Sequence, residues 1–295
     1  MTIHFTFKAS SMALTLAIST LTALAVSPAW AQISEGNTAD HPTIVNTTAV
    51  KGSENTYLIK DDGPRTSTPR LDDGTVDLSG DGYWSLPWVS NFANARDVPA
   101  EAPWRPWVKA MWEYNTGNAS KYDPEGFCLP PGGPRAFATP YPAEIVQHRD
   151  RILVIFEGGG HVWREIHLDG RPQKPLDEIN PTYFGHSVGH WEGDTLVIDT
   201  LGYNEKTWLD YSGTHHTNQL HTIEYLSRPY KEKLNYRIVI DDPGAFYETW
   251  EAEWDIPWVE GEELQDYICQ ENNQFMLDLK DDYGHAFFQK TEGAE

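Results

Sequence analysis

From Ala143 onward the chain alternates apolar and polar positions with a period of two. That period puts successive side chains on opposite faces of a strand. Glu144 to Gln147 and Ile152 to Phe156 are short, β-branched runs. From His161 to Leu168, Val162, Arg164, Ile166 and Leu168 oppose His161, Trp163, Glu165 and His167, and Asp169-Gly170 then makes a turn. Further strands are predicted over Thr195–Leu201, Leu220–Leu226 and Leu234–Ile240. The clearest is the last, where Phe246, Glu248, Trp250, Ala252, Trp254 and Ile256 share one face. Strands joined by short turns, with no long helical pattern between them, predict an antiparallel sheet with one buried face. A sheet of this many strands removes its exposed edges by closing or doubling. The fold class expected is therefore mainly β, a lipocalin-like antiparallel barrel, with a two-sheet β-sandwich as the alternative.

Upstream the pattern is different. Residues 76–140 are loop-rich and interleave Trp84, Trp88, Trp104, Trp107 and Trp112 with Pro87, Pro99, Pro103 and Pro106. Prolines at that density forbid long regular elements, although Pro103 to Met111 is compatible with a short helix. These tryptophans are expected to wrap a core or line an apolar or sugar-binding cleft. Residues 32–75 read as a polar arm, 76–272 as one β-rich domain and 273–295 as a polar C-terminal tail. Residues 1–31 read as a signal peptide. Lys8 precedes the apolar run from Ser11 to Val26, and Ala29-Trp30-Ala31 makes a small-x-small cleavage site. The run is short for a membrane anchor and no second stretch approaches spanning length, so membrane insertion is not expected. A periplasmic or secreted location follows.

Charge and cysteine content narrow the chemistry. The chain carries 44 acidic against 22 basic residues, a net charge of −22. Such a field disfavours nucleic acid and anionic membranes, which leaves a small-molecule substrate or ligand as the expected partner. The two cysteines, Cys128 and Cys269, are expected to pair as a disulfide in an oxidising compartment.

Histidine is concentrated in one region. His161, His167, His186, His190, His215, His216 and His221 lie close in sequence to Arg164, Asp199, Asp210 and Glu224. An imidazole beside a carboxylate can take and return a proton near neutral pH. Glycines at 185 and 189 weaken a helical His186/His190 pair, and no HExxH segment occurs, so no metal is expected. No phosphate-binding loop, nucleophile elbow or dinucleotide fingerprint is visible, and no cofactor is expected.

Several segments carry a family likeness. They are Asp77-Leu78-Ser79-Gly80, Cys128-Leu129-Pro130-Pro131-Gly132 with Pro134-Arg135, and Trp191-Glu192-Gly193-Asp194-Thr195-Leu196-Val197. Thr207-Trp208-Leu209-Asp210 and Ile240-Asp241-Asp242-Pro243 continue it. In these the chain resembles a widespread family of exported, largely uncharacterised bacterial proteins. The resemblance implies an exported β-rich domain and no particular reaction. The chain departs from the pattern at His190 and His215, which moves weight to His216, His221 and Glu224. The expected function is that of an exported lyase, isomerase or hydrolase. It would act by acid–base chemistry on a small aromatic, terpenoid-like or carbohydrate-derived substrate in a barrel cavity. His216 or His221 is the expected base, Asp210 or Glu224 its orienting carboxylate, and Arg164 the partner of an oxyanion or carboxylate. Tyr183, Trp191, Asp199 and Trp208 are the expected substrate-binding residues. The alternative is a non-catalytic, lipocalin-like binding protein for an apolar ligand.

Overall fold

The computed structural model describes residues 65–95, 101–118, 120–271, 280–281 and 283–285. The expected signal peptide and most of the polar arm and C-terminal tail lie outside them. The described chain is mainly β and closes into a nine-stranded barrel. Its strands are β1 (Gly82–Ser85), β2 (Pro142–Gln147), β3 (Arg151–Phe156), β4 (Trp163–His167), β5 (His186–Glu192), β6 (Thr195–Leu201), β7 (His221–Tyr230), β8 (Lys233–Asp241) and β9 (Trp250–Glu260). The ring closes through β9 and β1, where Trp84 sits opposite Trp258. One helix of three turns, α1 (Pro106–Gly117), begins at a proline whose missing N–H costs nothing at that position.

An odd number of strands cannot alternate direction all the way round a closed ring. One neighbouring pair must be parallel, and here it is β4 with β5. The parallel connection needs a long crossover, supplied by residues 168–185. The pairing is brief, only Ile166 with Ser187 and His167 with Val188. The amino-terminal half of β4, Trp163 to Glu165, is therefore not laddered to β5. Gly189 permits the approach, because a Cβ there would sit 3.0 Å from both Ile166 and Leu168.

Inward positions follow the period of two. Trp250, Ala252, Trp254, Ile256 and Trp258 of β9 are buried, as are Leu234, Tyr236, Ile238 and Ile240 of β8. Phe137, from the short 3-10 turn Pro134–Ala138, packs among them. Its ring lies 4.8 Å from Tyr236 and 5.4 Å from Phe156, and its carbonyl accepts from the Trp254 indole at 3.1 Å. Of the upstream tryptophans, Trp84 joins this core and Trp104 packs against it, whereas Trp107 stays exposed. Cys128 and Cys269 form the expected disulfide, with Cα atoms 5.5 Å apart.

Candidate functional site

The expected catalytic residues divide among four places. Arg164 on β4 and Glu224 on β7 point into the barrel and form a fully buried ion pair. Arg164 Nη1 donates to Glu224 Oε1 at 2.9 Å, and Nη2 donates to Oε2. The guanidinium also donates to the hydroxyls of Ser187 (3.1 Å) and Thr200 (2.9 Å), and the Tyr236 hydroxyl donates to Glu224 Oε1 at 2.7 Å. Burial opposes the charge on Arg164, but Glu224 outweighs it and the group stays firmly protonated. Burial first, then Glu224, pushes the Tyr236 phenol well up. This is a satisfied polar knot, and its charges already neutralise each other.

His221 lies on β7 facing outward, with Nε2 3.3 Å from Asp199 Oδ2 on β6. The Asp199 contact raises the proton affinity of His221. Asp210 is wholly buried and organises its own loop. It accepts from the Phe92 amide at 3.2 Å, the Ser212 hydroxyl at 2.8 Å and the Thr214 hydroxyl at 3.1 Å. His216 donates from Nδ1 to the Thr217 carbonyl at 3.0 Å, which leaves Nε2 to accept from Thr207 at 3.1 Å. Both of its ring nitrogens are used. Neither His216 nor His221 is bonded to Asp210 or Glu224; the carboxylate that meets His221 is Asp199.

Next to His216, Trp208 is buried with its ring 5.8 Å from His215. His215 Nε2 is buried without a hydrogen-bond partner, and burial, then His216, pushes the group down from 6.5 to about 4. The unfolded chain therefore binds this proton at a higher pH than the folded one. Stability from the neutral ring is complete above pH 6.5 and is lost as pH falls toward 4. Denaturant midpoints of the parent should drop through this window, and His215→Phe should drop less. Parallel losses in both proteins would remove His215 from the acid response.

A groove of about 520 Å³ opens where β4 and β5 part. Its lining includes Pro130, Trp163, His167, Tyr183, Phe184 and His186. Three tight glycine contacts shape it. A Cβ on Gly159, whose φ is +68°, would meet Pro131 at 2.5 Å, so the turn after β3 seats the proline-rich loop beside it. Gly132 lies against Thr207 and the Tyr183 carbonyl, and Gly133 N–H donates to that carbonyl at 2.8 Å. The loop after Cys128 thereby holds Tyr183 in the groove wall. Phe184 is fixed by stacking on Phe156 at 5.9 Å. Trp163 remains 60% exposed, a large apolar face left open by the described residues.

Within the groove His186 has a defined tautomer. Gln173 Nε2 donates to the His186 carbonyl, the Asp199 carbonyl and Asp199 Oδ1, each at 3.0 Å. Those three acceptors orient the amide, so its oxygen meets His186 Nδ1 at 2.8 Å. Nδ1 must therefore carry the proton. Nε2 keeps its lone pair and has no partner among the described residues. Burial first, then Lys174, His167 and Arg171, lowers the proton affinity of His186. The ring is neutral at neutral pH.

Of the expected substrate-binding residues, Tyr183 lines the groove; Asp199 reaches it through Gln173, and Trp208 lies elsewhere. Trp191 packs against the core. The sequence pattern grouped His186 with its neighbouring histidines without selecting it, and gave Gln173, Phe184 and Trp163 no role at the site. The signal for His186 was its place in the histidine-rich segment. Among the described residues no group of three or more His, Cys, Asp and Glu side chains converges to hold a metal. Comparison with known proteins finds no match among family models, curated proteins or solved structures.

Proposed function

We propose that this chain is an exported enzyme that performs acid–base chemistry on a small ring-containing molecule in the β4–β5 groove, with His186 as the proton-transferring group. The observation that carries the reading is the Asp199–Gln173–His186 relay, which fixes a neutral imidazole with its Nε2 lone pair unengaged beside an aromatic-walled groove. A ring that is neutral at working pH is available to take a proton from bound substrate or water, and its low proton affinity helps it return that proton. As the imidazolium forms, its Nδ1–H stays bonded to Gln173, so no reorganisation accompanies the transfer. Such chemistry suits a lyase or isomerase, or a hydrolase working through an activated water. Trp163, Tyr183 and Phe184 supply the apolar contacts that position a ring.

Long-range proton–nitrogen NMR tests the reading directly. At neutral pH His186 should appear as the neutral Nδ1–H tautomer, and Gln173→Ala should mix the tautomers. An Nε2–H tautomer or an imidazolium at neutral pH would overturn the proposal. For any substrate turned over, His186→Ala should lower kcat by about 10²–10⁴-fold.

A further inference from the structure

Acidic side chains dominate this protein, yet the rim of the groove is different. Glu165, the carboxylate in the groove lining, is engaged, as are Asp169 and Asp199. Glu165 pairs with Arg151 at 2.9 Å and Asp169 with Arg171 at 2.5 Å. Asp199 is shared between His221 at 3.3 Å and Gln173 at 3.0 Å. Inside, Arg164 is neutralised by Glu224 and has no net charge to offer a ligand. The His167 and His186 rings stand 5.5 Å apart, both in the groove lining. His167 Nδ1 is held only loosely, 3.8 Å from Glu165. Lys174 follows Gln173 directly, and its amide donates to the same Gln173 oxygen that receives His186, at 2.9 Å. The side chain of Lys174 is exposed and has no anionic partner among the described residues.

We infer that the groove takes a ring-bearing carboxylate, its ring against Trp163, Tyr183 and Phe184 and its charge toward Lys174 and the His167–His186 pair. The inference rests on the reading of this groove as the substrate site. Lys174 brings a positive charge to the residue next to Gln173, the partner of His186, in a chain of net charge −22. Lys174, His167 and Arg171 each lower the proton affinity of His186, as a local positive field requires. A carboxylate placed there relieves that field, whereas a neutral amide does not. The aromatic walls bind the ring of either compound. The charge therefore decides between them.

Titration calorimetry with 2-naphthoate and its neutral counterpart 2-naphthamide tests this on the full chain. The carboxylate should bind about tenfold more tightly, and Lys174→Met should remove most of that advantage. Lys109→Met, which removes a charge from α1, should leave it intact. NMR of His186 in the same titration should show its proton affinity rising with the carboxylate. Equal affinity for acid and amide, with the histidine resonances still moving, would overturn the anionic preference and leave the groove as the site. An unchanged preference in Lys174→Met would overturn the role of the lysine. Failure of both compounds to bind, with no movement at His186, would sink the groove reading together with this inference.

Discussion

Glu224→Ala is expected to destabilise the barrel by about 3–5 kcal/mol, the cost of leaving a buried charge without its partner. Glu224 is wholly buried and Arg164 is 1% exposed, so water cannot replace the missing carboxylate without entering the core. The Tyr236 hydroxyl loses its acceptor in the same step. Glu224→Gln retains an acceptor for Tyr236 and Arg164 but removes the neutralising charge, and should fall between. Arg164→Met with Glu224→Leu removes both charges and should recover much of the loss, because two apolar side chains of similar volume need no partners. Denaturant unfolding with an unchanged slope measures all three. A cost below about 1 kcal/mol for Glu224→Ala would mean that Arg164 is hydrated and the lumen is not dry.

The same pair shows what the sequence could and could not convey. Alternation in β7 places Glu224 on the inward face beside Thr222 and Leu226, and that much is written in the period of two. A polar residue facing inward suggests an open cavity. Whether it instead meets a counter-charge depends on Arg164, a residue 60 positions away across the closed ring, and no local pattern encodes that distance. The long strands β7 to β9 were legible because their buried positions alternate without interruption. β5 was not, because Gly189, the half-buried His186 and the exposed His190 blur its faces, and β1 has only four residues. The helix was expected over Pro103–Met111 and spans Pro106–Gly117, since Pro106 fixes its first turn while nothing before Gly117 stops it.

The candidate site was partly visible for a similar reason. Histidine density drew attention to the segment that holds His186. The choice among the histidines turned on what each ring nitrogen meets. His216 spends both nitrogens on Thr207 and Thr217. His186 spends one, on a glutamine from the patternless crossover between β4 and β5. Asp210 stood out as a carboxylate in a distinctive segment. Its hydrogen bonds to Phe92, Ser212 and Thr214 give it a loop-building task that the segment alone did not reveal.

Removing the disulfide, by Cys128→Ala with Cys269→Ala, is expected to cost about 3–5 kcal/mol and to loosen one rim of the groove. The crosslink joins positions 141 apart, so its loss restores much freedom to the unfolded chain. The local consequence is more specific. Residues 265–267 are tied to the barrel by hydrogen bonds. The Gln265 amide donates to Glu157 at 2.6 Å, and the Tyr141 hydroxyl donates to Tyr267 at 3.2 Å. His161 Nε2 lies 3.1 Å from the Gln265 carbonyl and 3.3 Å from the Tyr267 amide. His161 also lines the groove, and at φ +54° it holds a backbone conformation that disfavours a side chain. The segment braces that residue, and the disulfide braces the segment. Hydrogen exchange at residues 157–162 should therefore accelerate in the double variant more than exchange in β7 to β9. Glu224→Ala should do the reverse, raising exchange in the barrel strands first. Unchanged exchange at 157–162 in the disulfide variant would show that Gln265 and Tyr267 hold the rim without the crosslink.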